Sequence, residues 1–208
     1  MRQIQKRNEP QRLTQWRAAN QTDQNFGYGL MDTGLRAEVR QALVAEQCEL
    51  CAYTGRKISD ATCHIEHLKP QEHCGRGEDV AYGNMVACVP APNAPGLRYG
   101  AHKKASWPNA EQEALFVSPL RAGCGTRFSF NLRGEITPSS PADGAATETI
   151  MRLGLDHPQL NQLRKAAIDS TLASRQRGPA ALDARRARQR IASLKAAEWH
   201  VAPNGKPV

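Results

Sequence analysis

Aromatic residues are scarce in this chain of 208 residues: Phe, Trp and Tyr together make up 5%. The 40% of hydrophobic residues therefore lean on Ala and Leu, which points to a mainly helical protein that gains support from a metal or a partner. Long apolar runs are missing too. No stretch approaches the ~20 residues that span a bilayer, so a membrane-crossing helix is excluded. The opening Met1-Arg2-Gln3-Ile4-Gln5-Lys6 lacks the apolar segment of a secretory signal, and we expect a cytoplasmic protein whose thiols stay reduced. No internal repeat is visible, which excludes a solenoid. Acidic residues are the minority: 20 Asp and Glu face 28 Lys and Arg, a net charge of +8. That balance favours an anionic partner, most commonly nucleic acid, although it also serves plain solubility.

What is present is concentrated. Five of the six cysteines and four of the six histidines lie between Cys48 and Lys104. Around this stretch we expect three parts: an arm and lead-in helix over 1–47, a core over 48–105, and a C-terminal hairpin and helical region over 106–208. A short helix follows Pro10, with Leu13, Trp16 and Arg17. A second runs from Leu35 to Gln47, capped by Asp32 or Thr33, with Leu35, Val39, Leu43 and Val44 on one face. Ile58 to Ile65 reads as a strand, Val80 to Val89 as its return, and the proline-rich 90–99 as a loop. Glu111 to Val117 suits a short helix, 127–137 a small hairpin, and 137–146 an exposed connection. Asp156 and Pro158 open a helix with Leu160, Leu163, Ala167, Ile168 and Leu172 as its buried stripe. After Gly178-Pro179 a final helix over 180–199 carries Arg185 and Arg186, which either track a phosphate backbone, meet an acidic partner, or simply face water.

Three constellations carry chemistry. Cys48-Glu-Leu-Cys51 places two thiols on one side of a turn, as tetrahedral zinc requires, and Cys88 is the natural third ligand. Cys124, Cys63, Cys74 and a histidine compete to be the fourth. A thioredoxin-like redox pair would need a βαβ setting that is lacking here. The second constellation is His64-Ile65-Glu66-His67. On a strand, His64 and Glu66 face one way and Ile65 and His67 the other. One histidine, held neutral, takes a proton from water, while a neighbouring donor holds a divalent cation that stabilises charge on the leaving oxygen of a phosphodiester. His-x-x-His alone is weak evidence. The third adds Asn84, whose amide both donates and accepts and so can pin the loop bearing the base. His102 can complete the cation site, and Lys103 and Lys104 beside it can meet phosphate.

The order Cys-x-x-Cys, Glu-His-x-x-Pro, Asn and a late His resembles the HNH family of ββα-metal nucleases. The resemblance implies an α+β fold, mainly helical, in which a zinc-braced hairpin and a short helix clasp one divalent metal. It implies His67 as general base, Asn84 as the middle Asn and His102 as closing metal ligand. Glu66 stands where many members carry a metal-binding Asp, and His64 is an additional candidate ligand. Met1-Arg2-Gln3-Ile4, Glu9-Pro10, Leu13-Thr14-Gln15-Trp16-Arg17, Glu46 to Tyr53, His64 to Gln71, Phe116-Val117-Ser118-Pro119-Leu120 and Glu148-Thr149-Ile150 are similar, more narrowly, to PtuB-type effectors of Septu antiphage defence. The similarity covers about residues 1–175. It implies a metal-dependent endonuclease acting on nucleic acid, DNA foremost, beside a PtuA-like ABC/SMC-type ATPase; related effectors occur with retrons. The implied cofactors are Zn²⁺ for structure and Mg²⁺ or another divalent cation for catalysis. Many zinc-braced members have a second Cys-x-x-Cys, but Cys88 is followed by Val89-Pro90-Ala91. Cys124 lies in a resembling segment and is the expected fourth ligand. The competing expectation is a zinc-stabilised module that binds nucleic acid or a partner without catalysis. That module has no need of His67, Asn84 and His102 in nuclease order.

Overall fold

A computed structural model describes residues 1–176. Residues Met1–Arg164 form one compact unit, and the chain from Lys165 belongs to a second. The architecture mixes helices with two small two-stranded sheets, in keeping with an α+β class. No described helix is long and apolar enough to cross a membrane. The basic segment with Arg185 and Arg186 lies outside the described residues.

Helix α1 spans Gln11–Asn20 and buries Leu13. Helix α2 spans Thr33–Glu46 and starts where the sequence signals it: Asp32 Oδ1 accepts from Leu35 N at 2.8 Å. Leu35, Val39 and Leu43 recur every fourth residue and are fully buried. Cys48 and Glu49 then take left-handed backbone angles, φ 53° and 58°, which non-glycine residues adopt at a cost. Glu49 N donates to Val44 O at 2.9 Å, satisfying an orphan carbonyl of the helix end.

Strand β1 is His64–His67 and pairs antiparallel with β2, Met85–Cys88, in the register His64 to Cys88 and His67 to Met85. Both strands are shorter than the sequence pattern suggests. Ser59 and Thr62 form a reciprocal capping box around a 3-10 turn, so Ile58 to Cys63 cannot extend. A second 3-10 turn, Tyr82–Asn84, delays β2. All four residues of β2 are buried, and it is the inner strand of the pair. The Gln47 amide fastens the Cys48–Cys51 turn to it: Nε2 donates to Leu50 O and Ala87 O, and Oε1 accepts from Ala87 N. The short helix α3, Ala101–Lys104, follows the proline-rich loop.

Strands β3 (Phe128–Phe130) and β4 (Ile136–Pro138) form the expected hairpin. Helix α4, Gly144–Leu153, was hidden by the Pro/Ser/Gly/Ala composition of 137–146, although Asp143 caps it through Ala146 N and Gly154 ends it at φ 56°. Helix α5 is Pro158–Gln176. Its stripe is narrower than its periodicity predicts: Leu160 is buried, but Leu163 and Leu172 are exposed.

Candidate active site

Alternation along β1 divides its side chains. Ile65 and His67 point into the protein, while His64 and Glu66 are half-buried on the other face. Helix α3 follows the strand pair in the chain and reaches β1 through Lys104, which bonds to His67 O and Glu66.

His67 is 5% exposed and held at both ring nitrogens. Its Nε2 lies 2.8 Å from Asp79 O. A carbonyl only accepts, so the proton sits on Nε2 and the lone pair on Nδ1. Nδ1 is met by Gln71 Nε2 at 3.2 Å. The Tyr28 ring stands edge-on to the imidazole at 4.8 Å. Tyr28 is itself anchored, because its N–H donates to Asp79 Oδ2 at 2.7 Å. Asp79 thus orients the ring directly with its carbonyl and indirectly with its carboxylate. Burial disfavours the imidazolium and outweighs the Asp79 contact, keeping His67 below the ordinary histidine range.

Asn84 clamps the chain just beyond His67. Its Oδ1 accepts from Lys69 N at 2.8 Å and its Nδ2 donates to Lys69 O at 3.1 Å. Leu68 N adds a bond to Asn84 O at 2.9 Å. This two-sided grip fixes the exit of β1, which is the task the residue type suits.

On the other face, His64 Nδ1 lies 2.6 Å from Pro90 O, which places a proton there and turns Nε2 toward Glu66 Oε2 at 3.7 Å. At that distance the pair is a charge contact rather than a hydrogen bond. Glu66 Oε1 is 3.0 Å from Lys104 Nζ, and Lys104 also donates to His67 O at 2.8 Å. The Glu66 carboxyl feels burial, which raises it, but His64 and the Lys104 charge prevail and hold it below the usual range. His64 is likewise pulled down by burial, yet Glu66 and the Pro90 carbonyl bring it above the ordinary value. The His102 ring lies 5.8 Å from that of His64, and its Nδ1 accepts from Leu97 N at 3.1 Å.

A cleft of about 330 Å³ is lined by Glu66, His67, Gln71, Lys104 and Ser106 among others, while His64, Asn84 and His102 lie outside its wall. Lys104, expected as a surface phosphate contact, is 2% exposed and occupied with Glu66 and His67 O. Lys103 beside it is exposed. Gln71, Asp79, Tyr28 and the buried position of Lys104 are the parts that motif spacing missed. Only the position of Gln71, four residues after His67, was open to inspection, and no spacing rule assigns it a role.

Among the described residues, no group of three or more His, Cys, Asp or Glu side chains gathers as a metal site. His64 and Glu66 are the pair that would hold a cation, with Glu66 Oε1 already paired to Lys104. His64 donates its remote N–H to a carbonyl, as metal-ligating histidines do, and hard divalent ions take one or two protein ligands and fill the rest with water and phosphate. The thiols do not fit tetrahedral zinc. Cys51 and Cys88 are in contact, but Cys48 is exposed and Cys124 donates instead to Pro119 O at 3.7 Å. Within the pair, burial pushes both thiols up, yet the Cys88 thiol, Thr54 and the Val89 N–H bring Cys51 down to about 6, while Cys88 remains raised.

No protein-family model matches the chain. An alignment of 144 residues, covering 65% of the chain, is 29% identical to a protein of Vibrio cholerae serotype O1 biovar El Tor provisionally named the HNH endonuclease of retron Vc95. The alignment covers 66% of that protein, just under two thirds of its length.

Proposed function

We propose that this chain is an HNH-type endonuclease that hydrolyses phosphodiester bonds in nucleic acid, DNA foremost, with His67 as its general base. The observation that carries the reading is the ring of His67: buried, held below the ordinary histidine range, and fixed by Asp79 O with its Nδ1 lone pair on Gln71 Nε2, in the wall of a cleft that Glu66 and Lys104 also line. In this reading Nδ1 removes a proton from water as the oxygen attacks phosphorus. Asp79 O and Asn84 keep ring and strand exit from drifting, since a small misplacement costs rate steeply. His64 and Glu66 would hold a divalent cation with His102 nearby, and such an ion supplies charge neutralisation at the leaving oxygen. Lys103 offers the adjoining backbone a positive charge.

The resemblance to PtuB-type effectors and the likeness to a retron-associated protein support a wider proposal. The chain acts in antiphage defence, and a PtuA-like ABC/SMC-type ATPase governs when it cuts. A non-catalytic zinc module is the weaker reading, because it gives no role to the bonds by which Asp79 O holds the His67 ring and Asn84 grips Lys69. The test is nicking of supercoiled plasmid with Mg²⁺, Mn²⁺ or Ni²⁺, by the chain alone and co-purified with a neighbouring ATPase. We expect cleavage by the wild type and none by a folded His67→Ala variant. Equal cleavage by both would remove His67 from the role of base.

A further inference from the structure

The lone pair on which the proposed chemistry depends is already taken. With its proton on Nε2 and donated to Asp79 O, His67 has one acceptor left, and Gln71 Nε2 stands 3.2 Å from it. Only the amide N–H₂ of Gln71 can donate to a bare ring nitrogen, so the direction of this bond is fixed. A water that loses a proton to Nδ1 must stand within roughly 2.6–3.2 Å of it. The amide nitrogen and that water cannot share the position.

Gln71 is well placed to leave. It opens the 3-10 turn Gln71–His73 after Pro70, is exposed, and its side chain makes no other hydrogen bond among the described residues. Its backbone is held separately, since Cys74 N donates to Gln71 O at 3.1 Å. The amide can therefore rotate away while the turn stays intact. Exposed side chains make such moves in picoseconds to nanoseconds.

We propose that Gln71 is a cap on the base: its amide competes with the attacking water for Nδ1 of His67, so that cleavage proceeds only from the fraction of molecules in which Gln71 has swung out. This rests on His67 being the base of a nuclease. It adds that the chain restrains that base with a residue of its own. A net hydrogen bond between neutral groups contributes about 0.5–1.5 kcal/mol, equivalent to a restraint of roughly 2- to 12-fold. Gln71 acts through His67 and is a positioning residue.

Two variants separate the hydrogen bond from bulk. Gln71→Met keeps the length of the side chain and loses the donor; Gln71→Ala loses both. We expect each to raise kcat by roughly 2- to 12-fold with KM unchanged. A rise in Gln71→Ala alone would mean that volume rather than the hydrogen bond obstructs the cleft, and it would overturn the cap. A fall in kcat in both would overturn it as well, because Gln71 would then assist the water. A second readout needs no activity. In ¹⁵N-histidine NMR spectra at a pH where the ring is neutral, the Nδ1 resonance should move toward that of a free lone pair in both variants, while the protonated Nε2 stays put. An unmoved Nδ1 resonance overturns the cap whatever the rates show. If Nδ1 moves but neither wild type nor variants cut any nucleic acid, with or without the ATPase, the contact is upheld and the nuclease reading is what fails.

Discussion

Removing the charge of Lys104 should destabilise the protein far more than removing both charges of its ion pair. Lys104→Met takes away an ammonium that is 1% exposed and leaves Glu66, whose side chain is 15% exposed. Glu66 then keeps the Tyr53 hydroxyl at 3.4 Å and His64 at 3.7 Å, neither a close partner, and His67 O loses its donor. Breaking a buried pair from one side costs roughly 3–5 kcal/mol. For a compact unit of the size of Met1–Arg164, each kcal/mol moves the melting temperature by about 2–4 °C, so the expected drop is roughly 6–20 °C. Glu66→Gln with Lys104→Met abolishes both charges and should recover most of the loss. Thermal unfolding followed by circular dichroism across the double-mutant cycle supplies the coupling energy. The pH dependence carries a sign. The Glu66 carboxyl is depressed in the fold, so its contribution is fully present above the unfolded value of 4.5 and is lost as pH falls through its folded value. The gap between wild type and Lys104→Met should therefore narrow below pH 4.5. A single variant that melts with the wild type, or a double variant no better than the single, would refute this account of the pair.

Other consequences follow from the same geometry. Asn84→Ala removes both bonds to Lys69 and should cost roughly 1–3 kcal/mol by chemical denaturation, with kcat falling more than KM rises; a fully stable, fully active variant would count against the clamp. His67 is held below 6.5, so the base should already be free at neutral pH. The acid limb of kcat against pH should then lie below 6.5, and a limb at 7 or above would contradict this. His67 also favours folding above pH 6.5 and loses that contribution as pH falls through its folded value, whereas raised His64 contributes below 6.5 and loses it as pH rises. Chelation by EDTA should stop cleavage yet leave the melting temperature unchanged, because Cys51 and Cys88 meet without a third ligand among the described residues. A fall of several degrees would show that zinc braces the fold.

Local physics was legible in the sequence. The Asp32 cap, the Leu35–Val39–Leu43 face and the 128–138 hairpin need only neighbouring residues to define them. The motif residues fall on different elements: Glu66 and His67 on β1, Asn84 at the end of the 3-10 turn before β2, and His102 on α3. Errors arose where local rules compete. Ser59 and Thr62 turn the first half of the strand expected from Ile58 into a capped 3-10 turn, and Asp143 and Gly154 delimit a helix that composition obscured. What was illegible is tertiary. Asp79 O on His67 and Lys104 between Glu66 and His67 O join residues through the fold rather than through a spacing. The cysteines show the converse: Cys51 meets Cys88, but no third ligand joins them among the described residues.

Chemical rescue tests the central assignment most directly. His67→Gly removes the imidazole and leaves room where a buried ring stood. Single-turnover cleavage of plasmid DNA by the folded variant, with the proposed ATPase partner present, should be lost and should return on addition of imidazole, in proportion to the neutral fraction of the added base. Cleavage by folded His67→Gly at the wild-type rate without imidazole would contradict the assignment of His67 as the general base.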